Sequence, residues 1–330
     1  MKKDYTIVTI GSHSALQILK GAKDEGFRTI CVCRRGTERV YKSFRVADEI
    51  ILIDDYSDFF RIEDELIKKN AILIPHASLI SYLGTDSIKK IKVDYFGDKG
   101  ILDHESDRNK QRSWLLDAGL DLPRDFRSPE EIDRACIIKY HGAKGGKGYF
   151  IARDQADFNK KIKDEDYIIQ EYVVGVPVYI HYFYSSVDNE LEVLGFDKRY
   201  ESNADAIGRI AAEDQHDIES SYTVVGNMPI VLRESMLPEI FRMGENVVEA
   251  SKKLTRQGLY GPFCLETVVT PDLKFYVFEI SARIVAGTNL FPEGSPYTCY
   301  RYDVPMSTGR RIAREIRTAL KKDELHRILG

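Results

Sequence analysis

Short apolar blocks punctuate the first hundred residues, and the stretches between them carry apolar positions at helical spacing. The blocks at 5–10 (YTIVTI), 29–33 (TICVC), 49–53 (EIILI) and 71–75 (AILIP) predict strands, while 14–23 and 61–69 predict helices. Alternation of this kind predicts a parallel, doubly wound sheet. From about residue 106 the pattern changes. A helix at 108–118 leads into the turn-rich AGLDLPRDF, and strand pairs then dominate: 135–140 with 148–153, 167–173 with 177–185, then 190–197, and 262–269 with 274–281. Amphipathic spacing predicts long helices at 233–257 and 307–321. The chain therefore reads as an α/β, Rossmann-like front followed by α+β modules.

Two loops fall at the carboxyl ends of predicted parallel strands, where neighbouring loops share one crevice. The first is Gly11-Ser12-His13-Ser14 and the second Pro75-His76-Ala77-Ser78. Free N–H groups at a strand-to-helix junction suit an anion, and two His/Ser loops together suggest a phosphorylated small molecule. Ser12 also suits a helix N-cap, whereas histidine is not a preferred cap. The three-glycine dinucleotide fingerprint is missing from the first loop, which argues against an oxidoreductase.

The segment KYHGAKGGKGYFIA, residues 139–152, resembles a phosphate cradle but not a Walker A loop, because a strand rather than a helix follows its lysines. A hairpin is predicted, with Lys144 and Lys147 on the loop and Lys139 pointing inward at the end of the preceding strand. A solvated basic turn is the plainer alternative.

The last strand pair raises a sharper question. A hairpin symmetric about the Asp272–Leu273 bond sets Glu266 opposite Glu279, both interrupting apolar runs and both expected to be partly buried. Two such carboxylates need a cation between them. Mg²⁺ bridging nucleotide phosphates answers that need, and neutralisation of one glutamate by Arg283 is the alternative.

The chain has 330 residues, enough for about two domains. Its hydrophobic content of 43% and charged content of 30% are those of a soluble protein. A net charge of −4 offers no field for nucleic acid or an anionic membrane, and no apolar run approaches the roughly 20 residues of a membrane span. A short strand-like run follows Met1-Lys2-Lys3 without a signal-peptide pattern, so a cytoplasmic enzyme is expected. The five cysteines, Cys31, Cys33, Cys136, Cys264 and Cys299, are scattered and are expected to be reduced apolar fillers.

Taken together, the lysine strand with its Gly-rich hairpin, the segment IIQEYVVG and the terminal LE…FEISAR resemble the ATP-grasp ligases. Longer stretches, SHSALQILKGAKDEGF, HGAKGGKGYF, QEYVVGVPVYIHYFYS, KRYESNADAIGRI, SYTVVGNMPIVLRES and FEISARIVAGTN, resemble the archaeal formate-dependent synthetases of purine biosynthesis, the PurP family. The resemblance implies an ATP-grasp fold with a Rossmann-like (preATP-grasp) domain at 1–105 and an ATP-grasp domain at 106–330. Within the latter it implies a lid at about 130–175 and a catalytic lobe at about 176–330.

The family formylates AICAR (5-aminoimidazole-4-carboxamide ribotide) to FAICAR with formate and ATP. The implied cofactors are ATP with Mg²⁺ or Mn²⁺, and the implied partners are small molecules and further copies of the chain, hexamers included. By resemblance Lys139, Gly142, Lys144, Gly145, Gly146 and Lys147 contact phosphates. Gln170, Glu171, Tyr172, Val173 and Glu201 line the nucleotide, and Glu266 and Glu279 hold the metal. His13, Ser14, Ser78 and Asn227 meet the ribotide, and Arg199, Arg209 and Arg283 are candidate holders of formate or acyl phosphate. Lys139, Lys147, Arg283 and His13 form the implied catalytic set, with His13 either orienting the ribotide or moving a proton. Ala77 and Tyr140 stand where the family is expected to have Gly and Pro, and Ser281 where ATP-grasp ligases often have a metal-binding Asn. Two alternatives stay open: an ATP-grasp ligase with another acid or amine, and a nucleotide-binding regulator without catalysis.

Overall fold

The computed structural model describes residues 4–140, 148–201, 210–215 and 223–330. The front half forms a parallel sheet of β1 (Thr6–Ile10), β2 (Arg28–Arg34), β3 (Glu49–Ile53), β4 (Ala71–Leu73) and β5 (Asp94–Tyr95), in the order β3-β2-β1-β4-β5. Strand order reverses between β1 and β4, so the loops that follow these two strands open into one crevice, as the sequence predicts. Helix Glu63–Lys68 is shorter than the predicted 61–69, because a 3₁₀ turn at Tyr56–Arg61 takes up the preceding residues.

Two antiparallel sheets follow. Strands β6 (Asp125–Phe126), β7 (Cys136–Tyr140), β8 (Tyr149–Ala152) and β9 (Tyr167–Glu171) form one, in the order β6-β9-β7-β8. The other contains β10 (Val176–Ser185), β11 (Glu190–Glu201), β12 (Val224–Ile230), β13 (Gly261–Val269) and β14 (Phe275–Ser281), in the order β12-β11-β10-β13-β14. The predicted pairing of 167–173 with 177–185 is not what forms. β9 pairs with β6 and β7, while β10 pairs on both edges, with β11 and β13. The chain leaves one sheet and enters the other at Gly175, where a Cβ would lie 2.3 Å from the Val269 carbonyl oxygen.

The larger antiparallel sheet has two unlike faces. Val178, Ile180 and Tyr182 of β10, with Phe263 and Leu265 of β13, pack against Ile240, Met243 and Val247 of helix Leu237–Ser251 and against Trp114. Trp114 is wholly buried and donates its indole N–H to the Val247 carbonyl at 3.0 Å, which satisfies the polar edge that such burial would otherwise strand. This helix stops short of the predicted 257. The Ser251 hydroxyl donates to Val248 O at 2.6 Å and accepts Leu259 N–H at 2.7 Å, giving the backbone a non-helical alternative. Alternate residues of the same strands carry the polar face described below.

The front sheet and the large antiparallel sheet are joined by helix Ala15–Asp24 crossing helix Thr308–Lys322 at two glycines. A Cβ at Gly21 would lie 2.1 Å from Arg310 N, and one at Gly309 would lie 2.2 Å from Gln17 O. Near the last residue, Leu329 bridges Phe96, and Gly330 N–H reaches Tyr95 O at 2.9 Å. A buried ionic group supports the second of these helices: Arg311 bonds Glu192 at 2.8 Å and Glu315 at 2.9 Å, all three residues at most 4% exposed. Cys31, Cys33, Cys136 and Cys264 are buried free thiols as expected, but Cys299 is exposed, because it lies on the solvent side of helix Pro296–Arg301. No helix among the described residues is long and apolar enough to cross a membrane.

Candidate active site

Side chains paired across a sheet share one face, so the registers of β10 to β14 collect Tyr179, His181, Asp197, Arg199, Asn227, Glu266, Glu279 and Ser281 on the polar side. Glu266 does lie opposite Glu279, but for a different reason from a symmetric hairpin. Near the turn the partners are Val269 with Phe275 and Thr267 with Val277, centring the turn on Asp272, and a bulge between Thr267 and Glu266 restores the glutamate pairing.

The two carboxylates differ in surroundings. Glu266 is 4% exposed, accepting from Arg199 Nη2 at 2.8 Å and from Ser281 Oγ at 3.3 Å. Glu279, contrary to expectation, is open to solvent. Protein surrounds it on its remaining sides, and that crowding together with the charge of Glu266 pushes its carboxyl up to about 7.

The cation beside Glu266 is Arg199, whose guanidinium also stacks 3.9 Å from the Tyr179 ring centroid. Arg283 was the alternative neutraliser of one glutamate, beside the expected divalent cation. It is engaged with Glu105, at 3.1 Å, which is held beside it by accepting Ala282 N–H at 3.2 Å. Burial raises the Glu105 carboxyl, Arg283 opposes that rise, and Glu266 adds to it. The Arg283 Nε is buried without a partner.

The loops after β1 and β4 meet as predicted. Ser12 Oγ donates to Ser78 Oγ at 2.9 Å rather than capping the helix, and Ser14 occupies the N-cap position. His13 adopts a left-handed φ of 47°, uncommon outside glycine, and its Nδ1 lies 2.8 Å from Ser14 Oγ. Its ring stacks on His76 at 5.5 Å between centroids. Burial pushes the His13 imidazole down to about 3, with further lowering from His76, Arg283 and Arg199. His76 is likewise held at about 4, chiefly by burial. Asn289 Nδ2 donates to the His13 carbonyl at 3.2 Å, which brings the segment after β14 against this loop.

Lys139 ends its strand facing inward, and its Nζ donates to Gln170 Oε1 at 2.9 Å, while Gln170 Nε2 donates to Asp125 at 2.9 Å. Burial lowers the Lys139 pKa, and Glu279 and Asp125 oppose the shift. Glu171 forms an ion pair with Arg134 at 3.1 Å, and Tyr172 N–H bonds Ala135 O at 3.0 Å. Val173 follows in the crossing to β10, and Glu201 ends β11 opposite Val224. Asn227 Nδ2 donates to Asp197 Oδ2 at 2.7 Å. Gly142, Lys144, Gly145, Gly146, Lys147 and Arg209 lie outside the described residues.

The structure thus brings His13, Arg199, Arg283, Glu266 and Glu279 into one electrostatic field, with Lys139 reaching it from the smaller sheet. Glu105, His181 and Asp197 escaped the sequence reading, which had His76 only as part of the second His/Ser loop. Asp197 and His181 interrupt apolar strands just as the glutamates do, so the same signal marks them, whereas Glu105 sits on helix Ile101–Ser106 with no such pattern.

Residues 7–126 match a family described as "Protein of unknown function (DUF1246)", and residues 154–330 match one described as "Domain of unknown function (DUF1297)". The chain is 55% identical to the 5-formaminoimidazole-4-carboxamide-1-(beta)-D-ribofuranosyl 5'-monophosphate synthetase of Pyrococcus abyssi, covering 98% of both chains. It is 45% identical to the synthetase of the same description from Methanocaldococcus jannaschii, over 100% of this chain and 96% of that one. The chain belongs to this synthetase family. Among solved structures, an IMP biosynthesis protein PurP from Thermococcus kodakaraensis superposes with a TM-score of 0.78 at 29% identity, covering 98% of this chain and all of that one. An ADP complex of N5-carboxyaminoimidazole ribonucleotide synthetase gives a TM-score of 0.67 at 15% identity, over 97% of this chain and 78% of that one, and so shares the fold. The synthetase family member described here is an ATP-grasp ligase with a Rossmann-like front sheet.

Proposed function

We propose that this protein formylates AICAR to FAICAR, using ATP and formate and releasing ADP and phosphate. The observation that carries the reading is the opposed pair Glu266 and Glu279, set in the field of Arg199 and Arg283, the two guanidiniums that also act on His13. The relatives' description, which names the formamido ribotide as the product of synthesis, agrees with it.

In this reading residues 1–105 hold the ribotide through His13, Ser14 and Ser78, with Asn227 reaching it from β12. ATP lies between the lid at about 130–175 and the lobe at about 176–330. Lys139, Lys144, Lys147 and the backbone of Gly142, Gly145 and Gly146 meet its phosphates, and Gln170 to Val173 with Glu201 line the nucleoside. Glu266 and Glu279 suit a divalent cation, Mg²⁺ or Mn²⁺: a raised carboxyl opposite a second carboxylate is relieved by positive charge. Glu266 and Glu279 would be the protein's ligands to that ion, which would supply positive charge between them. When bound, the ion neutralises charge on the transferring phosphoryl group.

Formate oxygen attacks the γ-phosphorus, the bond to ADP breaks, and formyl phosphate forms. The exocyclic amine of AICAR then attacks the formyl carbon, phosphate leaves, and the nitrogen loses one proton. Arg283, oriented by Glu105, supplies the positive charge that holds the carboxylate and then the acyl phosphate. His13, held largely neutral by burial and by the nearby Arg283 and Arg199, orients the ribotide in this reading. Lys139, fixed by Gln170, contributes a desolvated positive charge toward the phosphates. The reaction is placed in the cytoplasm and in a homo-oligomer, hexamers included.

ADP formation with AICAR and formate, each omitted in turn, tests the proposal. Both omissions should abolish turnover; a rate indifferent to both would remove it, and turnover with a larger acid or another amine would redirect it.

A further inference from the structure

We propose that Asp197 locks the amide of Asn227 with its oxygen toward the ligand, so that Asn227 reads N–H donors on the substrate heterocycle; this rests on the ribotide reading above. An asparagine amide is nearly symmetric in shape, and turning it over exchanges an acceptor for two donors. Left free, Asn227 would accept a carboxamide or a carboxylate on its ligand equally well. It is not free. Its Nδ2 donates to Asp197 Oδ2 at 2.7 Å, and an ionised carboxylate can only accept, so the inverted amide would set oxygen against oxygen.

Asp197 is itself immobilised. It is 1% exposed, and His181 Nε2 lies 2.7 Å from its Oδ1, which fixes the imidazole hydrogen on Nε2. The backbone of Gly287 closes over the pair, since a Cβ there would lie 2.2 Å from Asp197 Oδ1 and 2.9 Å from His181 Cε1. His181, Asp197 and Asn227 sit on β10, β11 and β12, three neighbouring strands, so the relay is built from rigid elements. Their order runs from a buried imidazole outward to a half-buried amide on the polar face of the sheet. Asp197 and His181 are positioning residues in this scheme, acting through Asn227.

Two N–H donors are present on AICAR, the attacking amine and the carboxamide. The same ribotide with a carboxylate in place of the carboxamide offers the amine only. A fixed acceptor facing the carboxamide therefore rejects the carboxylate ribotide, whereas one facing the amine treats both alike.

The experiment is steady-state kinetics on the full-length protein with both ribotides, for wild type, Asp197→Asn, Asn227→Leu and the double variant. Asp197→Asn should raise KM for AICAR about 3- to 10-fold, the effect of one misplaced neutral hydrogen bond, and leave KM for ATP unchanged. Loss of preference for the carboxamide ribotide by a similar factor assigns the contact to the carboxamide; equal weakening of both ribotides assigns it to the amine. In the Asn227→Leu background Asp197→Asn should add nothing. The proposal falls if Asp197→Asn leaves KM for both ribotides at the wild-type value, or if its effect persists undiminished beside Asn227→Leu. Should Asp197→Asn fail to fold, His181→Leu must weaken AICAR and His181→Gln, which can still donate to Asp197, must restore it. Wild-type protein that binds no AICAR by calorimetry would instead defeat the ribotide reading, and this inference with it.

Discussion

Replacing Glu279 with glutamine should make the protein more stable and less active. The Glu279 carboxyl rises from its ordinary 4.5 to about 7 in the folded state, with crowding by protein as the main cause and the charge of Glu266 second. A carboxylate whose folded pKa is raised binds its proton more tightly in the native state, so its ionisation destabilises the fold. That destabilisation is absent below about pH 4.5, grows through the interval to about pH 7 and is complete above it. Unscreened, the shift corresponds to roughly 3 kcal/mol. The side chain is open to solvent, where charges interact far more weakly, and about 1 kcal/mol is the expected remainder. For a chain of 330 residues that is a Tm increase of about 1–2 °C. Thermal unfolding of wild type and Glu279→Gln in metal-free buffer, with chelator, should therefore show equal Tm at pH 4 and a gap favouring the variant at pH 8. ATP turnover with AICAR and formate should fall by a factor on the order of 100 or more, as for loss of one electrostatic contact to the transferring group. A variant no more stable at pH 8 than wild type would refute the account of the opposed carboxylates.

Other outcomes follow from the remaining geometry. Gly287→Ala forces a Cβ against Asp197 and should cost about 1–3 kcal/mol in denaturant unfolding, with a rise in KM for AICAR. Arg311→Met removes the cation nearest to buried Glu192 and Glu315, leaving Glu192 with Arg301 at 3.5 Å, and should cost about 3–5 kcal/mol, measured by urea unfolding. His13 titrates near 3 when folded and near 6.5 when unfolded, so stability is lost as pH falls from about 6.5 toward 3. The Tm of His13→Asn should therefore fall less than that of wild type between pH 7 and pH 4.

The parallel front sheet was legible because each of its strands is a compact apolar block and each βα junction ends at a recognisable loop. The meeting of the His13 and Ser78 loops followed from that topology alone. Pairing among the later strands was harder, since strand content does not specify partners. β9 and β10 lie four residues apart, which suggests a hairpin, yet β10 is flanked by β11 and β13 at the centre of its sheet. The glutamate pair was found through an argument that lacked the bulge between Thr267 and Glu266. Had the hairpin been regular from its observed turn, Glu279 would face away from Glu266. That Arg199 rather than Arg283 pairs with Glu266 depended on where Glu105 falls, a long-range fact with no local sequence trace. The buried relay at Asp197 was visible in principle, as a charge within an apolar strand, and simply shares its signal with many structural ion pairs.

The crossing of the first and last long helices, at Gly21 and Gly309, has a consequence for how ligands arrive. Backbones in contact at two points cannot slide or part without breaking the close approach that the glycines permit. The loop bearing His13 follows directly into the first of these helices and is tied to the segment bearing Asn289 by the Asn289 amide, so these two segments, which the proposed ribotide would meet, stand assembled without a ligand. Such preorganisation lowers the entropic cost of capture.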